Sequence, residues 1–133
     1  MTKIYLSHPY GGSEKNRAAA KDVAALYRWA WASEKGKEDY QLINPLELYE
    51  PLTGKAPEDK ILQSAVMIMR NCDAVLFCPG WKKSRGCRLE HYIAGKEGIQ
   101  RVYLSEDVER AATGAARYER ETKRRADKAV VVA

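Results

Sequence analysis

Apolar residues along this chain fall into two alternating kinds of block. KIYLS (residues 3–7), YQLINP (40–45), AVLFC (74–78) and IQRVYL (99–104) are short, dense apolar runs bounded by turn-forming or charged residues, and each reads as a strand. The stretches between them repeat apolar positions every three or four residues instead. In SEKNRAAAKDVAALYRWAWASEKGK, Ala20, Val23, Ala24, Tyr27 and Trp31 share one helical face, with Ser13 placed to cap the start and Gly36 to stop the helix. In APEDKILQSAVMIMRNC, Ile61, Leu62, Ala65, Ile68 and Met69 form a second stripe, and CRLEHYIAGKEG reads as a third helix. Residues 46–57, with two prolines and a glycine, and PGWKKSRG (79–86) read as loops.

The order is therefore βαβαβαβ, followed by a charged tail over 105–133, helical in pattern and ending in AVVVA. Alternation of this kind predicts an α/β fold with three layers, flavodoxin-like or Rossmann-like. Its sheet is mostly parallel, with four to five strands and helices on both faces. AVLFC, apolar without interruption, suits a strand covered on both sides. At 133 residues the chain is one domain's worth, with the tail appended to it. In such sheets ligands bind beyond the carboxyl ends of the strands, where the strand order switches. That rule selects two loops in advance: the one after KIYLS and the one after AVLFC.

Composition narrows the class. Hydrophobic residues make up 45% and charged residues 31%, the balance of a globular protein, and no run of about eighteen apolar residues is present to span a membrane. The N-terminus enters a strand with no apolar signal region. Three cysteines, Cys72, Cys78 and Cys87, match no metal-ligand spacing with His8 and His91. Free thiols in a cytoplasmic protein without metal or organic cofactor are the simplest expectation. The formal charge of +5 is spread over helices that also carry Asp and Glu, which argues against nucleic acid as the partner and suits a small anionic ligand. KRRADK in the tail is the one basic cluster, and a solvated helix face accounts for it.

The first loop, SHPYGGSEKNR, puts Gly11 and Gly12 ahead of a helix N-terminus, an arrangement that offers backbone N–H groups to an anion and is equally compatible with a plain glycine turn. It matches neither a GxxxxGK[ST] loop nor GxGxxG. His8 stands in this loop, open to contact with a ligand or to a structural role in the turn. In the second loop, KKSRGCRLE, Gly86 permits close backbone approach, Ser84 supplies a hydroxyl, and Lys82, Lys83, Arg85 and Arg88 supply cations. Glu90 follows in the first turns of the helix, the one acid in a basic, small and apolar stretch. Trp81, at the loop's mouth, is placed to stack on a base, whereas Trp29 and Trp31 read as helix-packing residues. His91 points about 100° away from Glu90 around the helix, and Cys87 reads as a buried packing thiol.

KIYLSHPYGGSEKNR, INP and NCDAVLFCPGWKKSRGCRLEHYIAGKEGI together resemble the nucleoside 2-deoxyribosyltransferase superfamily, in particular its nucleotide N-glycosidase branch and a related phage and bacterial group of unknown function. The resemblance covers most of residues 3–104. It implies that Glu90 is the nucleophile attacking the anomeric carbon of a sugar, and that Tyr5 holds this glutamate. A carboxylate suits a transition state of oxocarbenium character. It further implies that Ser84, where relatives acting on free nucleosides carry an aspartate, meets a 5′-phosphate together with the Gly11-Gly12 loop. The arginine that usually precedes those glycines is Tyr10 here. A nucleoside 5′-monophosphate is thus the implied ligand, with a homo-oligomer as the implied assembly. Ala65 stands where the superfamily carries an aspartate that assists the leaving base, so a nucleotide-binding module without turnover is the alternative. Asp59 is the nearest acid upstream, and Asp73 reads as a strand-border residue outside the chemistry.

Overall fold

In the computed structural model, which describes residues 1–37, 39–49 and 58–132, four parallel strands form one sheet. In chain order the elements are β1 (Thr2–Ser7), α1 (Glu14–Ser33), β2 (Tyr40–Ile43), the short α2 (Pro45–Leu48), α3 (Glu58–Arg70), β3 (Ala74–Phe77), α4 (Arg85–Glu97), β4 (Gln100–Tyr103) and α5 (Glu106–Val132). The strands lie in the order β2-β1-β3-β4, with Tyr5 beside Ile43 on one side and beside Val75 on the other. The chain moves from β1 to β2 and then returns past β1 to β3. The switch in direction therefore falls between β1 and β3, and the loops leaving these two strands lie side by side.

Strand alternation divides the core in two. Leu6, Leu42 and Leu76 point to the face covered by Ala20, Val23 and Ala24 of α1 and by Ala112 of α5. Tyr5, Val75 and Phe77 point to the other face, under Ala65 and Met69 of α3 and Ala94 of α4. All four residues of β3 are buried, as the unbroken apolar run requires, whereas all four of the edge strand β4 are exposed. Asp73 borders β3, its carboxylate accepting from the Lys3 backbone N–H at 2.7 Å. Among the described residues no helix is long and apolar enough to cross a membrane.

Three details differ from the expected pattern. Residues 45–48 form a helical turn rather than loop, because Asn44 caps it, accepting from Leu46 N at 3.1 Å, and Pro45 supplies the first helical position; residues 50–57 of that expected loop lie outside the described residues. Within the second loop, Trp81–Lys83 make a 3-10 turn and α4 starts at Arg85, since Ser84 caps it. Trp29 is 69% exposed on α1 and packs no core, whereas Trp31 packs against Tyr27 and Tyr40 with ring centroids 5.5 and 5.3 Å away.

Candidate functional site

The two loops enclose a cavity of about 780 Å³, the size of a small-molecule site, at the carboxyl edge of the sheet. Its floor is built by β1 and α4. Tyr5 and Ser7 are two positions apart and so share the face of the sheet that α4 covers. Above them, Glu90 is brought in from the second turn of α4 and is only 6% exposed. Ser7 donates from Oγ to Glu90 Oε1 at 3.2 Å. The Tyr5 hydroxyl lies near the same carboxylate and favours its ionised form, and Glu90 Oε2 has no hydrogen-bond partner among the described residues. Burial outweighs both hydroxyls and pushes the Glu90 carboxyl up to about 7. Burial likewise raises Tyr5 well above the ordinary phenol range, helped by the Glu90 charge, so Tyr5 stays a neutral donor.

The first loop forms one end of the cavity. Gly11 and Gly12 adopt φ of 55° and 78°, two left-handed residues in a row that only glycine takes without strain. They turn the chain into α1, whose N-cap Ser13 accepts from Asn16 N at 3.2 Å. Tyr10, where the resemblance implies an arginine, has one beside it: Arg17 from the first turn of α1 donates to the Tyr10 hydroxyl and to Glu14 and lines the cavity with the glycines. His8, buried, lines the same wall.

The second loop forms the opposite wall. Ser84 lines the cavity with its hydroxyl already engaged as the cap of α4, accepting from Cys87 N at 3.3 Å; its own proton remains to donate. Gly86 lines the cavity where α4 meets α3, and a Cβ there would make an ordinary van der Waals contact with Leu62 at 3.5 Å. Lys83 and Arg85 border the opening, and Arg85 pairs with Asp59 at 3.2 Å. Ala65 also lines the cavity and brings no acid to it.

Tyr5, His8, Gly11, Gly12, Ser84, Gly86 and Glu90 are thus brought together, and Trp81 is not. Gly80, at φ 85°, starts the 3-10 turn that carries Trp81 toward β4. There its ring stacks on His91 at 4.1 Å and packs against Phe77 and Tyr103. His91 donates or accepts at the Tyr103 hydroxyl, 2.6 Å away, outside the cavity lining. Cys87 is buried, and its burial raises the thiol, which suits packing rather than nucleophilic chemistry. Among the described residues no group of three or more His, Cys, Asp or Glu side chains is arranged to hold a metal ion.

Three residues were not anticipated from the sequence: Ser7, Glu109 and Arg17, a helix cation with the same pattern as a solvated one. Ser7 was legible in principle, because a serine two positions after Tyr5 in a strand must share its face. Glu109, whose Oε1 is 2.5 Å from His8 Nε2, is separated from it by 101 positions and left no local signal.

Comparison with known proteins places this geometry. No curated protein gives a significant match. Among solved structures, a 2-desoxiribosyltransferase from Leishmania mexicana has a similar fold, with TM-score 0.51 and 21% identity over 79% of this chain and 65% of that one. Residues 2–103 match the model of a family described as a domain of unknown function, DUF4406. That span includes both loops, both central strands and all of α4, and the chain belongs to the DUF4406 family.

Proposed function

We propose that this protein cleaves the N-glycosidic bond of a nucleoside 5′-monophosphate, as a hydrolase or as a transferase to another base. The observation that carries the reading is Glu90: a carboxylate buried at the cavity floor, held on one oxygen by Ser7 and, among the described residues, without a hydrogen-bond partner on the other. Such a group is poorly solvated and partly protonated near neutral pH, and it gains most when positive charge develops beside it. The anomeric carbon of a departing nucleoside supplies that charge.

In this mechanism ionised Glu90 attacks C1′ through Oε2. The C1′–N bond breaks, its electron pair leaves with the base, and the base takes up a proton from solvent. Water, or the nitrogen of a second base, then attacks C1′ of the glycosyl ester, gives up a proton to solvent and restores the carboxylate. Tyr5 and Ser7 orient Glu90, and the N–H groups of the Gly11-Gly12 turn, Arg17, Lys83 and the Ser84 hydroxyl surround the phosphate. The fold shared with a deoxyribosyltransferase agrees with this substrate class.

A second reading, a nucleotide-binding module without turnover, is favoured by one observation. Ala65 stands where the resemblance implies an acid for the departing base, a contribution worth about 10²- to 10⁴-fold, and the other acid lining the described wall, Asp59, is paired with Arg85. A second copy of the chain in a homo-oligomer is the source we infer for such an acid if turnover is found. Incubating wild type and Glu90→Ala with a panel of ribo- and deoxyribonucleoside 5′-monophosphates and free nucleosides, and following free base by chromatography, separates the readings. Release by wild type alone supports the enzyme. Saturable nucleotide binding without release from any substrate supports the binding module.

A further inference from the structure

The first loop is held from outside the family region. Residues 2–103 match the family model, and α5 follows them. Ser105 caps that helix, accepting from Val108 N at 3.2 Å, and its first turn directs Glu109 back toward the end of β1. There Glu109 Oε1 lies 2.5 Å from Nε2 of the buried His8, while Nδ1 of the same ring faces the Pro9 carbonyl at 2.8 Å. A carboxylate and a carbonyl only accept hydrogen bonds. The ring is therefore held between two acceptors, one at each nitrogen. Glu109 also lies near enough to the end of β3 to help burial raise the Cys78 thiol, so it sits at the switch between β1 and β3.

Two residues beyond Pro9 the chain enters its pair of left-handed glycines, which carry no side chain to pin them. Ser13 N donates to Tyr10 O at 2.9 Å, closing the turn locally, and Arg17 holds Tyr10 from α1. His8 is the point at which the loop is tied to α5.

We propose that Glu109 is a positioning residue for this site: through His8 it fixes the Pro9–Gly12 segment, so α5, itself outside the cavity lining, supports the proposed anion-binding end from behind. The consequence for ligand affinity rests on the nucleotide reading, whereas the tie between α5 and the loop does not. The test compares wild type, Glu109→Gln and Glu109→Ala as full chains. Hydrogen exchange without ligand reads the tie, and calorimetry with inorganic phosphate and AMP reads affinity.

In Glu109→Ala we expect amides of residues 10–13 to exchange about tenfold faster while those of β1 and β3 keep their protection, with Glu109→Gln, which retains an acceptor, in between. A general loss of fold stability would instead speed the sheet amides equally. Unchanged exchange in residues 10–13, or a uniform increase through the sheet, overturns the proposal. If wild type binds phosphate or AMP, Glu109→Ala should weaken that binding about tenfold, and equal affinity overturns the proposed effect on the site. If wild type binds neither, the nucleotide reading loses its support and the exchange result alone decides the tie.

Discussion

Glu90→Gln removes the ionisable group from the cavity floor while keeping its shape and an oxygen to accept from Ser7. Below about pH 4.5 the wild-type carboxyl is protonated in both folded and unfolded chains, and its ionisation contributes nothing to stability. As pH rises, the unfolded chain loses its proton first, because burial holds the folded group to about 7. Wild type therefore loses stability between these values and carries a constant deficit above them. The interval from 4.5 to about 7 corresponds to about 3 kcal/mol at roughly 1.4 kcal/mol per pH unit. Glu90→Gln should match wild type near pH 4 and exceed it by about 3 kcal/mol at pH 8, or by roughly 10 °C in Tm for a domain of this size. Urea unfolding and thermal melts of both proteins across pH 4–8 measure the gap. Parallel curves, with a gap that does not widen with pH, would refute the assignment of Glu90 as a buried carboxyl held protonated by its surroundings. A variant that gains stability while losing base release would show that the site carries a destabilising group for its chemistry.

Other expectations concern neighbouring residues. Ser7→Ala removes a donor to Glu90 and should move the glutamate's titration, followed by carbon NMR, upward by roughly one pH unit, since a bond to a charged group is worth about 1.5 kcal/mol. An unchanged titration would remove Ser7 from the site. If Glu90 is the nucleophile, base release should rise with pH up to about 7 and then level off, whereas a rate falling across that range contradicts an ionised nucleophile. Gly12→Ala meets no atom within 4 Å but forces a side chain to φ 78°, so denaturant unfolding should show a loss of about 1–2 kcal/mol from backbone strain alone. Trp81→Ala should lower Tm, by about 2 kcal/mol of lost packing on Phe77 and His91, and leave nucleotide affinity by calorimetry unchanged, since the indole lies outside the cavity lining.

The sheet, its parallel sense and the helical faces were legible because burial writes itself into the sequence with two distinct periods. Leu6 and Tyr5 alternate across β1, and Ala20, Val23 and Ala24 recur along α1, so each element announced what it covers. The rule for parallel sheets then located the cavity before any coordinate, since it depends on strand order rather than on side chains. Trp81 shows where such reasoning stops. An aromatic residue in a basic loop has the same local pattern whether it faces a ligand or folds back on its own helix. The outcome turned on the left-handed Gly80 and on His91 and Tyr103, which face it from α4 and β4.

The same distinction governs how the site is divided along the chain. Its floor is assembled from residues whose spacing is local to an element: Tyr5 and Ser7 in one strand, Ser84, Cys87 and Glu90 in one helix cap and its first turns. These geometries follow from the pleat and the helical pitch, so a short matching stretch reproduces them wherever the sheet forms. The glycine-loop end is different. Its glycines have no side chains to hold them, and its cations come from Arg17 and Lys83 on different elements. A loop of that kind needs a contact from elsewhere to keep one conformation, since fixing each backbone residue costs about 1–2 kcal/mol of entropy. In this chain the contact comes from Glu109 on α5, outside the matched region. On the proposed reading, a relative with the same floor and a different C-terminal helix would accordingly keep the carboxylate chemistry and differ in how tightly it holds the charged end of its ligand.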